Sequence, residues 1–361
     1  MEHIGIDLGS SRSAICVLSA DGTIVKQHVV ATAELERFMR KRLPSRVAIE
    51  SCSESRKIAL QARQHGHLVR VVPSVFVRSL GIGTRRIKTD KRDARNLALA
   101  SFRLGDELPQ VHVRSDEAAA IQDLVRARAS LVGQRTMAIN FVRAQLRKAL
   151  LGRGPRCTAM AFSNKVRELV GTETSLEITA HLNVIDVLND EITELERKMK
   201  KAAKENEPAR RLQRIPGVGA IVALAFVSAI DDPRRYASGA QVASYVGLSP
   251  GENTTGFMVK RTRIVAAGQK QLRSLLVQAA HVMLITHSTR EPMAHWALEI
   301  EKRSGRKVAV CALARKLAVV MWAMLRDGTQ YDPTLTRPRQ PLAPPPDEQL
   351  ARALRSAPPQ I

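Results

Sequence analysis

The opening stretch of the chain is written in short apolar runs. "HIGIDLG" and "SAICVLSADGTIVKQHVV" are rich in β-branched and apolar residues, and Asp21-Gly22 between two such runs supplies a favoured hairpin turn, so a three-stranded meander is predicted. The pattern then alternates. "ELERFMRKRL" carries helical spacing, "RVAIES" is a short buried-strand pattern ending at Glu50, "SRKIALQARQHG" is helical up to Gly66, and "HLVRVVP" is strand-like again. This order predicts an α/β domain. "DKRDARNLALASFRLG" opens a further helix, with Asp90 at or near its cap and Gly105 closing it.

From Ser115 the pattern changes character. "SDEAAAIQDLVRARASLVGQRTMAINFVRAQLRKALLG" contains no turn signal other than Gly133 and is rich in helix formers, with Ser115 as N-cap and Asp116 and Glu117 in the first turn. In the segment 175–204, Ile178, Leu182, Ile185, Leu188, Ile192, Leu195 and Met199 recur at alternating spacings of three and four, a coiled-coil-like seam. An antiparallel helical hairpin follows from the two together. "RIPGVGAIVALAFVSAID" begins a mostly helical region, in which the Pro216-Gly217-Val218-Gly219 turn matches a helix-hairpin-helix. There Gly217 and Gly219 would let backbone N–H groups approach a phosphate, although a plain interhelix turn has the same pattern. After Tyr331 the chain is proline-rich and predicts an extended or disordered tail. The expected division is 1–114, an α/β domain; 115–206, long helices; 207–331, a C-terminal helical domain; and 332–361, the tail.

Charge narrows the partners. Lys plus Arg number 57 against 34 Asp plus Glu, a net charge of +23, and such an excess calls for a polyanion, with nucleic acid foremost. No run reads as a spanning helix and the N-terminus lacks a signal-peptide pattern, so no membrane partner and a cytoplasmic location are expected. Cys16, Cys52, Cys157 and Cys311 lie far apart with no C-x-x-C pair, which predicts buried thiols without zinc or disulfides. A phosphate-binding footprint is expected from Arg85, Arg86, Lys88, Lys91 and Arg92, from Arg126, Arg128, Arg135, Arg143, Arg147 and Lys148 on the first long helix, from Lys198, Lys200, Lys201 and Lys204 on the second, from Lys260, Arg261 and Arg263, and from Arg315 and Lys316. Aromatic residues make up only 3% of the chain, so backbone contact and shape recognition are favoured over base stacking.

Four acids stand out in the first region: Asp7 in the first strand, Glu50 at the end of a later strand, and Asp90 with Asp93 at a helix start. Carboxylate oxygens suit hard divalent ions such as Mg²⁺ or Mn²⁺, and acids at i and i+3 share a helix face, so a cation site is one reading. The other makes Asp90 an N-cap and Asp93 a solvated first-turn acid. "IGIDLGSS" also matches the phosphate turn of actin-like and sugar-kinase ATPases, but no second glycine-rich phosphate loop follows.

The segments "IGIDLGSSRSAICVL", "VAIESCSESRKIALQARQHGHLVRVVP", "IKTDKRDARNLALA", "LQRIPGVGAIVALAFVSAID", "YASGAQVASYVGLSP" and "VAVCALARKLAVVMWAMLRDGTQY" together resemble the DEDD-type insertion-sequence transposases, whose recombinases are guided by a bridge RNA. The resemblance implies a RuvC-like (ribonuclease-H-like) N-terminal domain, a coiled-coil insertion and a C-terminal transposase domain. It implies that Asp7, Glu50, Asp90 and Asp93 are the metal-site acids, and that DNA, a bridge RNA and further copies of the chain, as a dimer or tetramer, are partners. It also implies a serine nucleophile before a glycine in "GLSPGENTTGFMVKRTR", where this chain has Thr255 before Gly256. Threonine keeps the hydroxyl but adds a β-methyl that restricts χ1 and crowds attack. "TRIVAAG" departs further, with Thr262 for a glycine and Ala266 for a basic residue. The expectation is therefore a recombinase that cuts and rejoins DNA through a hydroxyl aided by a Mg²⁺-holding tetrad. The alternatives are a homologue that binds nucleic acid without recombining and a nuclease using the tetrad alone.

Overall fold

The computed structural model describes residues 1–79, 89–171, 175–255, 258–264, 267–287 and 290–336. The chain forms two compact units, Met1–Ser115 and Asp116–Ile361. The first is mixed α/β and the second is largely helical.

In the first unit the apolar runs become β1 (His3–Asp7), β2 (Arg12–Leu18), β3 (Ile24–Ala31), β4 (Arg46–Glu50) and β5 (Leu68–Val72). They form one sheet in the order β3-β2-β1-β4-β5, antiparallel through the meander and parallel across β1-β4-β5. The helices α1 (Leu35–Arg40), α2 (Ser55–Gln64), α3 (Ser74–Ser79) and α4 (Asp90–Leu104) cover it. Ile4, Ile6, Ile15, Val17, Val47 and Ile49 pack one face against Leu35, Met39, Ile58, Ala59 and Ala62 of α1 and α2. Alternate residues Ala14, Cys16, Ala48 and Val72 pack the other face against Ala94, Leu97 and Ala98 of α4, as the two-residue period of a strand requires. The N-cap of α4 is Thr89, in extended conformation, and Asp90 is the first helical residue.

His3 closes the start of this sheet. It is buried, its Nδ1 lies 3.0 Å from Ser101 Oγ, and Phe102 meets its ring edge-on. Burial, then the charge of Arg46, lowers its pKa below the ordinary histidine value. The unfolded chain therefore binds the proton more readily, and this contribution to stability is present above the unfolded pKa of about 6.5 and is lost as pH falls toward the folded value. Urea midpoints of the wild type are expected to decline below about pH 6.5, less steeply in His3→Gln.

The second unit begins with α5 (Asp116–Lys148), followed by α6 (Phe162–Val170) and α7 (Leu176–Glu205). Arg128 meets Glu196, Arg135 meets Asn189, and Phe141 stacks on His181, so numbers rise on α5 as they fall on α7. The pair is antiparallel. Its far end has a core of Ile139, Val142, Leu146, Phe162, Val166, Ile178, Leu182 and Ile185. Its base joins the main core with α8 (Glu207–Leu212), α9 (Ala220–Ile230), α10 (Gly239–Val246), α11 (Lys270–Thr286), α12 (Pro292–Ser304) and α13 (Arg306–Asp327), in which Phe226, Leu276, Leu313 and Met321 are fully buried. A hairpin of β6 (Pro250–Thr255) and β7 (Met258–Ile264) interrupts the helices.

Two expectations change here. Contrary to the expectation that no run resembles a spanning helix, α13 is long and apolar enough to cross a membrane. Its apolar residues Ala309, Leu313, Leu317 and Met321 are instead buried in the core of this unit, which accounts for its composition. Of the four free cysteines, Cys16 alone is fully buried, while Cys52 is exposed and Cys157 and Cys311 are half-buried. Most of the proline-rich tail lies outside the described residues.

Candidate nucleic-acid interface

Strand register decides where the first unit's acids stand. His3 to Ile6 of β1 pair in parallel with Arg46 to Ile49 of β4, so Asp7 and Glu50 follow at neighbouring strand ends. Gly5 lies directly beneath α4, where an added Cβ would stand 2.0 Å from Ala94 O and 2.4 Å from Ala98 N. Asp7, two residues on, shares that face, as does Glu50 two residues beyond Ala48. Asp93 on α4 is buried, 2% exposed, beside Ala94. Asp90 opens the same helix and is exposed.

The fold thus turns Asp7, Glu50 and Asp93 toward one side of the sheet without making a cage. A divalent ion needs several oxygens within about 2.0–2.6 Å of one point. Among the described residues no group of three or more His, Cys, Asp or Glu side chains is placed to hold a metal ion. The Mg²⁺ or Mn²⁺ site expected from Asp7, Glu50, Asp90 and Asp93 is therefore corrected, and with it recombination or nuclease cleavage through such a tetrad. The physical reason is depth. Asp7 and Glu50 are half-buried at strand ends, Asp93 sits in the helix–sheet contact, and Asp90 faces solvent one turn away.

The cations on α4 are placed differently. Lys91, Arg92 and Arg95 are exposed around the buried Asp93. Arg85, Arg86 and Lys88 lie outside the described residues. On α5 two expected phosphate contacts turn inward: Arg128 pairs with Glu196 at 2.6 Å, and Arg135 donates to Asn189 Oδ1 at 2.8 Å. Burial, then the neighbouring Arg128 charge, lowers the Arg135 pKa. Sequence reasoning missed that signal. Ile121, Val125, Arg128, Val132, Arg135, Ile139, Val142 and Leu146 recur at spacings of four and three, which puts both arginines in the seam itself.

In the second unit the two glycines of the Pro216–Gly219 turn do different things. Gly217 has φ +82°, and an added Cβ would stand 2.7 Å from Ala279 O of α11. Gly219 is exposed at the N-cap of α9 with open space where a Cβ would lie. Thr255 ends β6, its backbone paired with Met258, and Lys260 and Arg261 of β7 pair with Asn253 and Glu252. The side chains of Thr255, Lys260, Arg261 and Arg263 lie outside the described residues, as do Gly256 and Ala266. Lys316 Nζ sits 4.7 Å from the centre of the Trp296 ring, and burial lowers its pKa. Its neighbour Arg315 is half-buried.

A family described as "Transposase", of the DEDD type, matches residues 4–150, and the "Transposase IS116/IS110/IS902 family" matches residues 209–296. The transposase for insertion sequence element IS1328 of Yersinia enterocolitica is 30% identical over 336 residues, covering 91% of this chain and 98% of the relative. The chain belongs to the insertion-sequence transposase family. A probable family 20 transposase of Pseudomonas aeruginosa is 29% identical over 349 residues, covering 92% of this chain and 99% of the relative. The pilin gene-inverting protein of Moraxella bovis is 26% identical over 283 residues, covering 76% and 78%. The similarity to this transposase family thus runs through both units, the α/β sheet and the helical unit alike.

Proposed function

We propose that this transposase-family chain binds DNA through phosphate contacts and does not recombine it through a metal-held acidic centre. The observation that carries the reading is the contrast on α4. Lys91 and Arg92 face solvent around a buried Asp93, while the acids they accompany do not converge. A net charge of +23 supplies the long-range attraction for a polyanion. The proposed contacts are Arg85, Arg86, Lys88, Lys91 and Arg92 in the first unit, with Gly219, Lys260, Arg261, Arg263 and Arg315 in the second.

The mixed sheet order β3-β2-β1-β4-β5 supports reading the first unit as RuvC-like. The finer partners belong to the same proposal: a structured bridge RNA held by shape and backbone contacts, and assembly as a dimer or tetramer in the cytoplasm. The family's names, transposase and gene-inverting protein, make DNA the natural ligand.

The test uses the purified full chain with a short DNA duplex. Fluorescence anisotropy between about 50 and 200 mM salt is expected to give a log–log slope steeper than about −3, the mark of several phosphate contacts. Incubation with DNA, RNA and magnesium, followed by denaturing electrophoresis, is expected to show no protein–DNA adduct. An adduct that disappears in Thr255→Ala would overturn the reading and make the chain an active recombinase.

A further inference from the structure

At the far end of the helical hairpin, Arg143 and Arg147 of α5 and Arg153 and Arg156 of the following loop line a cavity of about 400 Å³, with Asn140 beside them. Among the described residues none of the four is ion-paired, whereas of Arg46, Arg63 and Arg70, which line a cavity of the first unit, Arg46 and Arg70 both pair with Asp106.

The cluster is held in place. The Arg143 guanidinium lies 5.4 Å from the centre of the Phe162 ring, which is buried. The loop closes back onto α5 through Leu151 N–H donating to Leu146 O at 2.9 Å. Arg147, Arg153 and Arg156 are exposed. Like charges gathered around one hollow repel, and that cost is offset when an anion with several oxygens lies among them. Guanidinium groups match phosphate oxygens in pairs, and no aromatic side chain lines the cavity to stack a base.

From this we infer that the cavity is a seat for the phosphodiester backbone of a nucleic acid. The inference rests on the nucleic-acid reading above and names a site for it on the hairpin. Three exposed arginines, Arg147 at the end of α5 and Arg153 and Arg156 in the loop after it, suit successive phosphates of one strand better than a single enclosed metabolite.

The test measures anisotropy of the full chain with a DNA duplex and, separately, an RNA hairpin. The variants are Arg147→Gln/Arg153→Gln/Arg156→Gln and, in case the triple change unfolds the loop, Arg153→Gln alone. The triple variant is expected to lose about tenfold or more in affinity at about 100 mM salt and to flatten the salt slope by about 2–3, the single variant by about 1. Loss with RNA alone assigns the seat to RNA, with DNA alone to DNA, and with both to either backbone. If the wild type binds and both variants bind with its slope and affinity, the seat is wrong and the nucleic-acid reading stands. If the wild type binds neither probe, both fall together.

Discussion

Gly5→Val is expected to destabilise the first unit strongly, lowering its melting temperature, while leaving the second intact. A Cβ at this position would stand 2.0 Å from the Ala94 carbonyl oxygen and 2.4 Å from the Ala98 amide nitrogen. Both are backbone atoms of a continuous helix, so no rotamer change relieves the clash. The helix would have to lift off β1, opening the packing of Ala94 and Ala98 against Ala14, Cys16 and Leu18. Overpacking in a filled core costs about 1–3 kcal/mol and sometimes more, and a clash with helix backbone belongs at or above the upper end. For a unit of this size about 3 kcal/mol lowers the melting temperature by roughly 15 °C. Circular dichroism melting and limited proteolysis check this. A valine variant that melts with the wild type would show that α4 does not rest on β1 as described.

That result bears on function, because Gly5 sets the depth of Asp93. The close approach of α4 to β1 buries this acid in the helix–sheet contact rather than leaving it to solvate with Asp90. In the sequence the two aspartates are equivalent, both acids of a first helical turn three residues apart. Periodicity shows which face a residue takes but not how closely its helix approaches the sheet. The place of Asp7 in the first strand and of Glu50 at a strand end was legible; the failure of the four acids to converge was not.

The long helices show the opposite case. The seam of α7 was readable from Ile178, Leu182, Ile185, Leu188, Ile192, Leu195 and Met199, of which all but the half-buried Leu195 are buried. The same spacing runs through α5 and includes Arg128 and Arg135, yet their charge suggested an outward face. In the structure both bond across the hairpin, to Glu196 and Asn189. A basic residue in a heptad seam is better read first as an internal partner, and one outside it as a candidate for phosphate. Arg147, Arg153 and Arg156 meet the second condition, being exposed. At α13 an apolar helix long enough to cross a membrane, a length not expected from the sequence, serves as a core helix, while Asp90, expected at or near the cap of α4, stands one residue after that cap, Thr89.

The turn Pro216-Gly217-Val218-Gly219 separates structure from function within one motif. Gly217→Val is expected to cost about 3 kcal/mol or more, since a positive φ is strained for a β-branched residue and the added carbon would also meet Ala279 O at 2.7 Å. Gly219→Ala has open space and φ −86°, so its melting temperature should stay within a degree or two of wild type, an effect of about 0.5 kcal/mol. A backbone amide approaching a phosphate at the start of α9 would nevertheless feel the new methyl group. Weaker DNA binding by Gly219→Ala at unchanged stability would make this turn a phosphate contact. Unchanged binding would leave it an interhelix turn, whose glycine pattern reflects only the packing of Gly217 on α11.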